Sequence, residues 1–339
     1  MNCSSCSCNN KENEFKLELD IQNDQFNDQL TPIKESPAKT TQVSPLAKIH
    51  TLEPQVIKLQ SLWRGYQTRK LFSHLLRSRI PRRSHFSKAD FRETTSVEFK
   101  SDKCEEREPY TFKSGAVYQG QWKGTHRHGY GTQIWPDGAK YEGFWAFNRA
   151  NGHGKFWHID GDIFEGNWRD EKANGKGVYC HVNGARYEGD WNGDLQNGYG
   201  VEVWADGSRY EGFYRNGKKH GFGLYTWTDG SRYVGQWFEN KINGAGTYTW
   251  LDGRQYEGEW LNNKMHGRGV YVWKDGRRCE GEYKFDKKHG EGTYFWSDGK
   301  CYKGGWKNGK QHGEGRYILP SGEVKAYLWQ DGKRIRSLD

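Results

Sequence analysis

Residues 256–278 read YEGEWLNNKMHGRGVYVWKDGRR, and residues 279–301 read CEGEYKFDKKHGEGTYFWSDGKC. Both stretches place Gly at positions 3, 12, 14 and 21, a ring at position 5 and Asp at position 20. The same 23-residue frame starts at Tyr118, Tyr141, Phe164, Tyr187, Tyr210, Tyr233, Tyr256, Cys279 and Tyr302 without an insertion. Tyr110, Phe112 and Gly115 fall in the frame as a preceding half unit, and a degenerate piece carrying Tyr327 and Trp329 follows. Self-similarity at this period marks a repeat array, in which each unit buries its apolar side against its neighbours.

Composition agrees once the repeat is seen. Only 33% of the chain is hydrophobic and the mean hydropathy is -1.08, values that alone suggest disorder. The 16 Trp, 20 Tyr and 16 Phe contradict that, because a thin array needs aromatic platforms rather than a thick aliphatic core. Within the frame, positions 1, 3 and 5 share one face of a strand. A ring on a neighbouring strand can cover the gap that a strand glycine leaves. Asp-Gly at positions 20 and 21 signals a tight turn. His or Asn before Gly at positions 11 and 12 reads as a second turn needing positive φ. The fold class expected is mostly β: an elongated single-layer antiparallel sheet of nine hairpins with one aromatic and one polar face. Eighteen strands at about 4.8 Å spacing would extend on the order of 85 Å.

The repeat closely resembles the MORN repeat, whose Tyr-x-Gly-x-Trp, His/Asn-Gly-x-Gly and Asp-Gly pattern recurs over residues 110–324. That resemblance implies successive hairpins and a groove for protein partners. The position-5 residues Trp122, Trp145, Trp168, Trp191, Tyr214, Trp237, Trp260, Tyr283 and Trp306 form its expected aromatic face. The aromatic-glycine repeat that binds choline fits less well, since it calls for an export signal and the N-terminal residues read as none.

Upstream, the chain divides into a polar leader (1–52), an expected helix (53–80), a mixed-charge connector (81–109) and the array (110–339). Residues 58–92 hold ten Lys or Arg against Asp90 alone, which accounts for the whole net charge of +9. Leu59, Leu62, Trp63 and Tyr66 recur at helical spacing, Pro54 suits the first turn, and Pro81 ends the pattern. Leu59-Gln60, Arg64-Gly65 and Arg69, with Trp63 between them, resemble an IQ motif. The resemblance implies binding of calmodulin or a related EF-hand light chain. An amphipathic basic helix offers a light chain both apolar anchors and cations. A docked surface helix or one lying on an anionic membrane is the alternative.

Chemistry is expected to be absent. The position-11 histidines His128, His220, His266, His289 and His312 recur about 9–10 Å apart, too far to share a zinc ion bound at about 2.0–2.1 Å. No acid–base pair is singular, and no cofactor, metal site or catalytic residue is expected. Cys3, Cys6 and Cys8 suit either acylation or plain reduced thiols; two acyl chains, or one with a basic patch, anchor stably. No apolar run spans a bilayer. The expected protein is therefore an intracellular non-enzymatic scaffold, and the MORN resemblance implies a place in cilium, axoneme or cortical cytoskeleton, with a cytoskeletal partner and a light chain. The competing reading is a phospholipid-binding or acylated membrane tether, with nucleic acid a distant third.

Overall fold

The structure, a computed structural model, describes His85, Phe86 and residues 103–338. Twenty-one strands, from β1 (Cys104–Thr111) to β21 (Lys333–Ser337), form one antiparallel sheet. Each strand pairs with its neighbours in sequence, so the connectivity is a plain meander. The nine units contribute eighteen strands, β1 is the preceding half unit, and Val324–Gln330 with Lys333–Ser337 closes the series. The first strand starts at Cys104, ahead of the boundary at 110 expected from the repeat frame. The expected leader and basic helix lie outside the described residues.

Glycine sets the register. Position 3 of each unit pairs with position 14 of the same unit and of the unit before it. A single row therefore runs Gly120, Gly131, Gly143, Gly154 and onward to Gly304 and Gly315. The position-1 ring lies over that row. A Cβ on Gly131 would sit 2.3 Å from Tyr118 Oη, and one on Gly246 would sit 2.2 Å from Tyr233 Oη. No other residue type leaves room for the ring, which is the aromatic cover over a strand glycine that the frame suggests.

Each position-1 ring stands edge-on between two position-5 rings. Tyr118 meets Trp122 at 5.1 Å and Trp145 at 5.4 Å, and Tyr233 meets Trp237 at 5.4 Å and Trp260 at 5.7 Å, all nearly perpendicular. Such edge-to-face pairs add about 0.5–1.5 kcal/mol beyond their buried area. Most of their polar ends are satisfied by backbone: Tyr141 Oη donates to Phe144 O at 2.9 Å, and Trp145 Nε1 donates to Gly131 O at 3.0 Å. One layer of rings thus provides both core and cross-strand hydrogen bonding.

The turns differ from the sequence reading in one respect. At positions 18–22 the Asp-Gly turn is present. In the first unit Trp135 N donates to Ala139 O, Gly138 N donates to Trp135 O, and Asp137 Oδ1 accepts from Ala139 N. Gly138 takes φ +92°, where glycine is favoured. The second turn, however, is at positions 7 and 8, not 11 and 12. From the second unit on, both of its residues have positive φ, as in Phe147-Asn148, Asn216-Gly217 and Asn262-Asn263, the signature of a type I′ hairpin. Positions 11 and 12 lie inside the return strand, where His128 and Gly129 form part of a bulge between the Gly120 and Trp122 pairings. The position-8 side chain then stitches units together: Asn148, Asp194, Asn240, Asn263 and Asp286 each accept the backbone N–H of position 10 in the preceding unit at 2.7–2.8 Å.

The opposite face is not purely polar, another departure from expectation. It carries exposed rings, among them Tyr130, Phe144, Tyr199, Phe213 and Phe222. Tyr199 and Phe213 pair across strands with centroids 5.7 Å apart. Several position-2 glutamates on this face pair with cations two residues earlier, as in Lys140–Glu142 at 2.6 Å and Arg186–Glu188 at 2.7 Å. Exposed pairs of this kind add about 0–1 kcal/mol each.

Candidate aromatic-face binding site

The position-5 residues all lie on one face, but they are buried: Trp145 is 2% exposed and Trp168, the most accessible, 8%. They hold the sheet together rather than meeting a partner directly. The surface above them is a row of cups. Each is bounded by position 18 of one unit, positions 1 and 16 of the next, and position 5 of the unit after that. The residue pointing into each cup is position 10, which pairs with position 5 across its own hairpin, as Ala150 pairs with Trp145.

Position 10 varies: Arg127, Ala150, Ala173, Gln196, Lys219, Ile242, Met265, Lys288 and Gln311. Large residues fill their own cups. Arg127, 1% exposed, places its guanidinium 5.1 Å from the Phe112 ring and 4.5 Å from Trp145, and bonds Gln133 and Asn148 O. Lys219 Nζ lies 4.4 Å from Trp204, 5.3 Å from Tyr210 and 5.6 Å from Tyr225. Lys288 Nζ lies 5.8 Å from Trp273, 4.6 Å from Tyr294 and 4.5 Å from Trp306. Cations over ring faces are favourable, more so when desolvated.

The Ala150 cup is filled from elsewhere. Phe86, far upstream of the sheet, puts its ring 5.3 Å from Trp135, 5.8 Å from Tyr141 and Trp145, 6.2 Å from Phe156 and 6.1 Å from Trp168. His85 packs against Trp135 and Phe156 at 5.4 Å, and its Nε2 is 2.8 Å from Asp137 Oδ2 in the turn. Burial alone would raise Asp137, but the Ala139 N–H and His85 outweigh it and hold the carboxyl below its usual range. Sequence reasoning missed both Phe86 and position 10. The available signal was a variable residue of the same strand parity as the ring positions.

Two cups are polar. Glu202 replaces the position-16 ring in one; it accepts from Tyr214 Oη at 2.8 Å and lies 4.0 Å from Lys219 Nζ. Burial pushes its carboxyl up, and Lys219, Tyr214 and Gln196 offset this only in part. In another, Asp162, 1% exposed, accepts from Tyr179 Oη and Val182 N. His158 beside it is lowered, chiefly by burial. Neither is a metal constellation: among the described residues no group of three or more His, Cys, Asp or Glu is placed to hold an ion. His128 and His312 instead accept backbone N–H groups of the next unit's turn, from Phe147 and Asp331.

The family model of the MORN repeat matches nine consecutive segments between residues 118 and 324. The chain belongs to the MORN-repeat family. The MORN units begin at the nine positions where the frame repeats, and the family model of the IQ calmodulin-binding motif matches residues 55–73. That segment contains Leu59, Gln60, Trp63, Arg64, Gly65 and Arg69, which, like Cys3, Cys6 and Cys8, lie outside the described residues. No curated protein matches the MORN chain by sequence. Among solved structures it is similar to the TCP10 domain of Danio rerio CPAP, at 15% identity and a TM-score of 0.34, covering 60% of this chain and 96% of that one. It is also similar to the TCP domain of Drosophila melanogaster SAS-4 bound to a proline-rich motif of Ana2, at 13% identity and 0.30, covering 53% and 90%. A third is a virginiamycin B lyase of Staphylococcus aureus, at 14% identity and 0.14, covering 67% and 89%. At these scores the likenesses bear on neither fold detail nor function.

Proposed function

We propose that this MORN protein is a non-enzymatic adaptor. Its aromatic face holds a protein partner, and its IQ segment recruits calmodulin or a related EF-hand light chain. The observation that carries the first half is His85–Phe86: a stretch of polypeptide already lies on that face, with its ring in a cup and its imidazole on a turn carboxylate. The family match over residues 55–73 supports the second half. The partner we favour is a cytoskeletal or axonemal protein, with the adaptor placed in a cilium or the cortical cytoskeleton.

Detergent extraction of cells expressing the tagged full chain tests this reading against the membrane tether. Wild type and a variant with Cys3, Cys6 and Cys8 all changed to Ser are compared. Retention of both in the insoluble residue supports the cytoskeletal adaptor. Release of wild type by detergent, with the variant soluble without it, replaces the adaptor by an acylated membrane tether.

A further inference from the structure

The contacts of Phe86 are those that position 10 makes in other units. Lys219 reaches position 18 of the unit before and positions 1 and 16 of its own unit; Lys288 reaches positions 18 and 16 and position 5 of the unit after. Phe86 meets the same set, namely Trp135, Tyr141, Phe156 and Trp168. A ring supplied from outside the array thus takes the place of the long side chain that Ala150 lacks. Ala150 is 0% exposed and Phe86 8%, so the substitute seals the cup. His85 adds a hydrogen bond to Asp137 beside the seated ring.

We infer that position 10 decides which cups are self-filled, and that the Ala150 cup is a displaceable ligand site. Its resident ligand is the chain's own His85–Phe86, and its external ligand is a peptide presenting histidine directly before phenylalanine, with the bend the resident takes at both residues. The chemistry of the resident defines the visitor. The cup takes a flat six-membered ring among five rings, and the Asp137 carboxylate takes an N–H donor from the preceding residue. A ring on the visitor gains its burial only by expelling Phe86, so the cis segment sets a threshold that a partner must exceed. Binding in trans also carries the entropy of association that the tethered segment avoids.

The inference rests on the aromatic face being a protein-binding surface, but its test reads the cup itself and needs no cellular partner. The full chain is prepared with 4-fluorophenylalanine at position 86, alone and with Ala150→Ile or Ala150→Lys, which copy Ile242 and Lys219. The expected result is a buried fluorine resonance in wild type that moves to the water-exposed position in both variants, with the melting temperature of the array held. Should Ala150→Ile fail to fold, Ala150→Lys decides. The capped peptide Ser-His-Phe-Ser is then titrated to 10 mM. It is expected to bind the Phe86→Ala chain at least tenfold more tightly than wild type, and not to bind the Phe86→Ala/Ala150→Ile chain. An unmoved resonance in folded Ala150 variants refutes the shared cup. Absence of peptide binding to Phe86→Ala, or binding unaffected by Ala150→Ile, refutes the displaceable site. Either pattern leaves the extraction result, and so the adaptor reading, to stand or fall separately.

Discussion

Replacing Gly246 by Ala isolates the contact on which the sheet depends. Gly246 has no positive φ, so the change is sterically local rather than a backbone conflict. The new Cβ would meet Tyr233 at Oη 2.2 Å, Cζ 2.5 Å and Cε2 2.7 Å, all atoms of a rigid ring that is 0% exposed. Tyr233 cannot swing aside freely: it donates to Gln236 O at 3.1 Å and stands between Trp237 and Trp260. A small ring shift costs about 1–3 kcal/mol, as overpacking does. Full expulsion of the ring returns roughly 200 Å² to water, about 5 kcal/mol. The alanine restricts the unfolded chain and offsets about 0.4–1 kcal/mol of this. The net expectation is a loss of about 2–4 kcal/mol, read by urea unfolding of the full chain. Because a repeat array need not unfold as one unit, amide exchange across residues 232–261 is measured beside it. Combining Gly246→Ala with Tyr233→Leu should recover about 1–2 kcal/mol relative to the sum of the single changes. Additivity within about 0.5 kcal/mol, or a Gly246→Ala chain as stable as wild type, refutes the ring-on-glycine account.

Three other outcomes follow from the same geometry. Cys279 stands where other units place a ring, so Gly292 has no position-1 ring over it; the trio Tyr210, Tyr214 and Trp237 shows that a tyrosine fits beside these neighbours. Cys279→Tyr should therefore stabilise by about 0.5–2 kcal/mol in urea unfolding. Burial raises Asp194 above its ordinary carboxylate value, with the Ala173 N–H and Lys172 opposing. With the folded pKa above the unfolded one, the unfolded chain ionises first as pH rises, so stability is lost through that window. Asp194→Asn keeps the acceptor that Asn148 and Asn240 provide in other units, and should raise the melting temperature at pH 8 with the gain vanishing at pH 3. Arg127→Ala empties a buried cup and leaves Gln133 and Asn148 O without that donor; a loss of about 3–5 kcal/mol is expected from denaturant midpoints.

The aromatic sheet was legible because its causes are local and repeated. Positions 3 and 14 must be glycine for the Tyr118 or Tyr233 ring to lie down, and that necessity is written in the eight units whose position 1 is a ring. The second turn was harder to place, because His-Gly at positions 11 and 12 is as good a positive-φ signal as Asn216-Gly217 or Asn308-Gly309. Gly129 does take positive φ, but in a bulge that shifts the pairing between Gly120 and Trp122 rather than reversing the chain. The candidate site was legible only as a face. The position-5 rings named by the pattern form its floor, whereas position 10, which decides what fills each cup, is irregular across units and so left no periodic mark. Phe86 was invisible for a related reason: a single ring contact between distant segments has no spacing to read. The rings of the far face, such as Phe144 and Phe213, escaped notice because positions 4 and 13 are aromatic in only some units.

The adaptor account requires the chain to hold two proteins at once. The most direct measurement loads the full chain onto immobilised calmodulin, with and without calcium, and then passes a cytoskeletal extract over it. The account predicts that the chain is retained in at least one calcium condition and brings further proteins with it. It also predicts that changing Gln60 and Arg64 to Ala removes the chain and its companions together. A chain that calmodulin retains in neither condition, or one retained without any companion, contradicts the account.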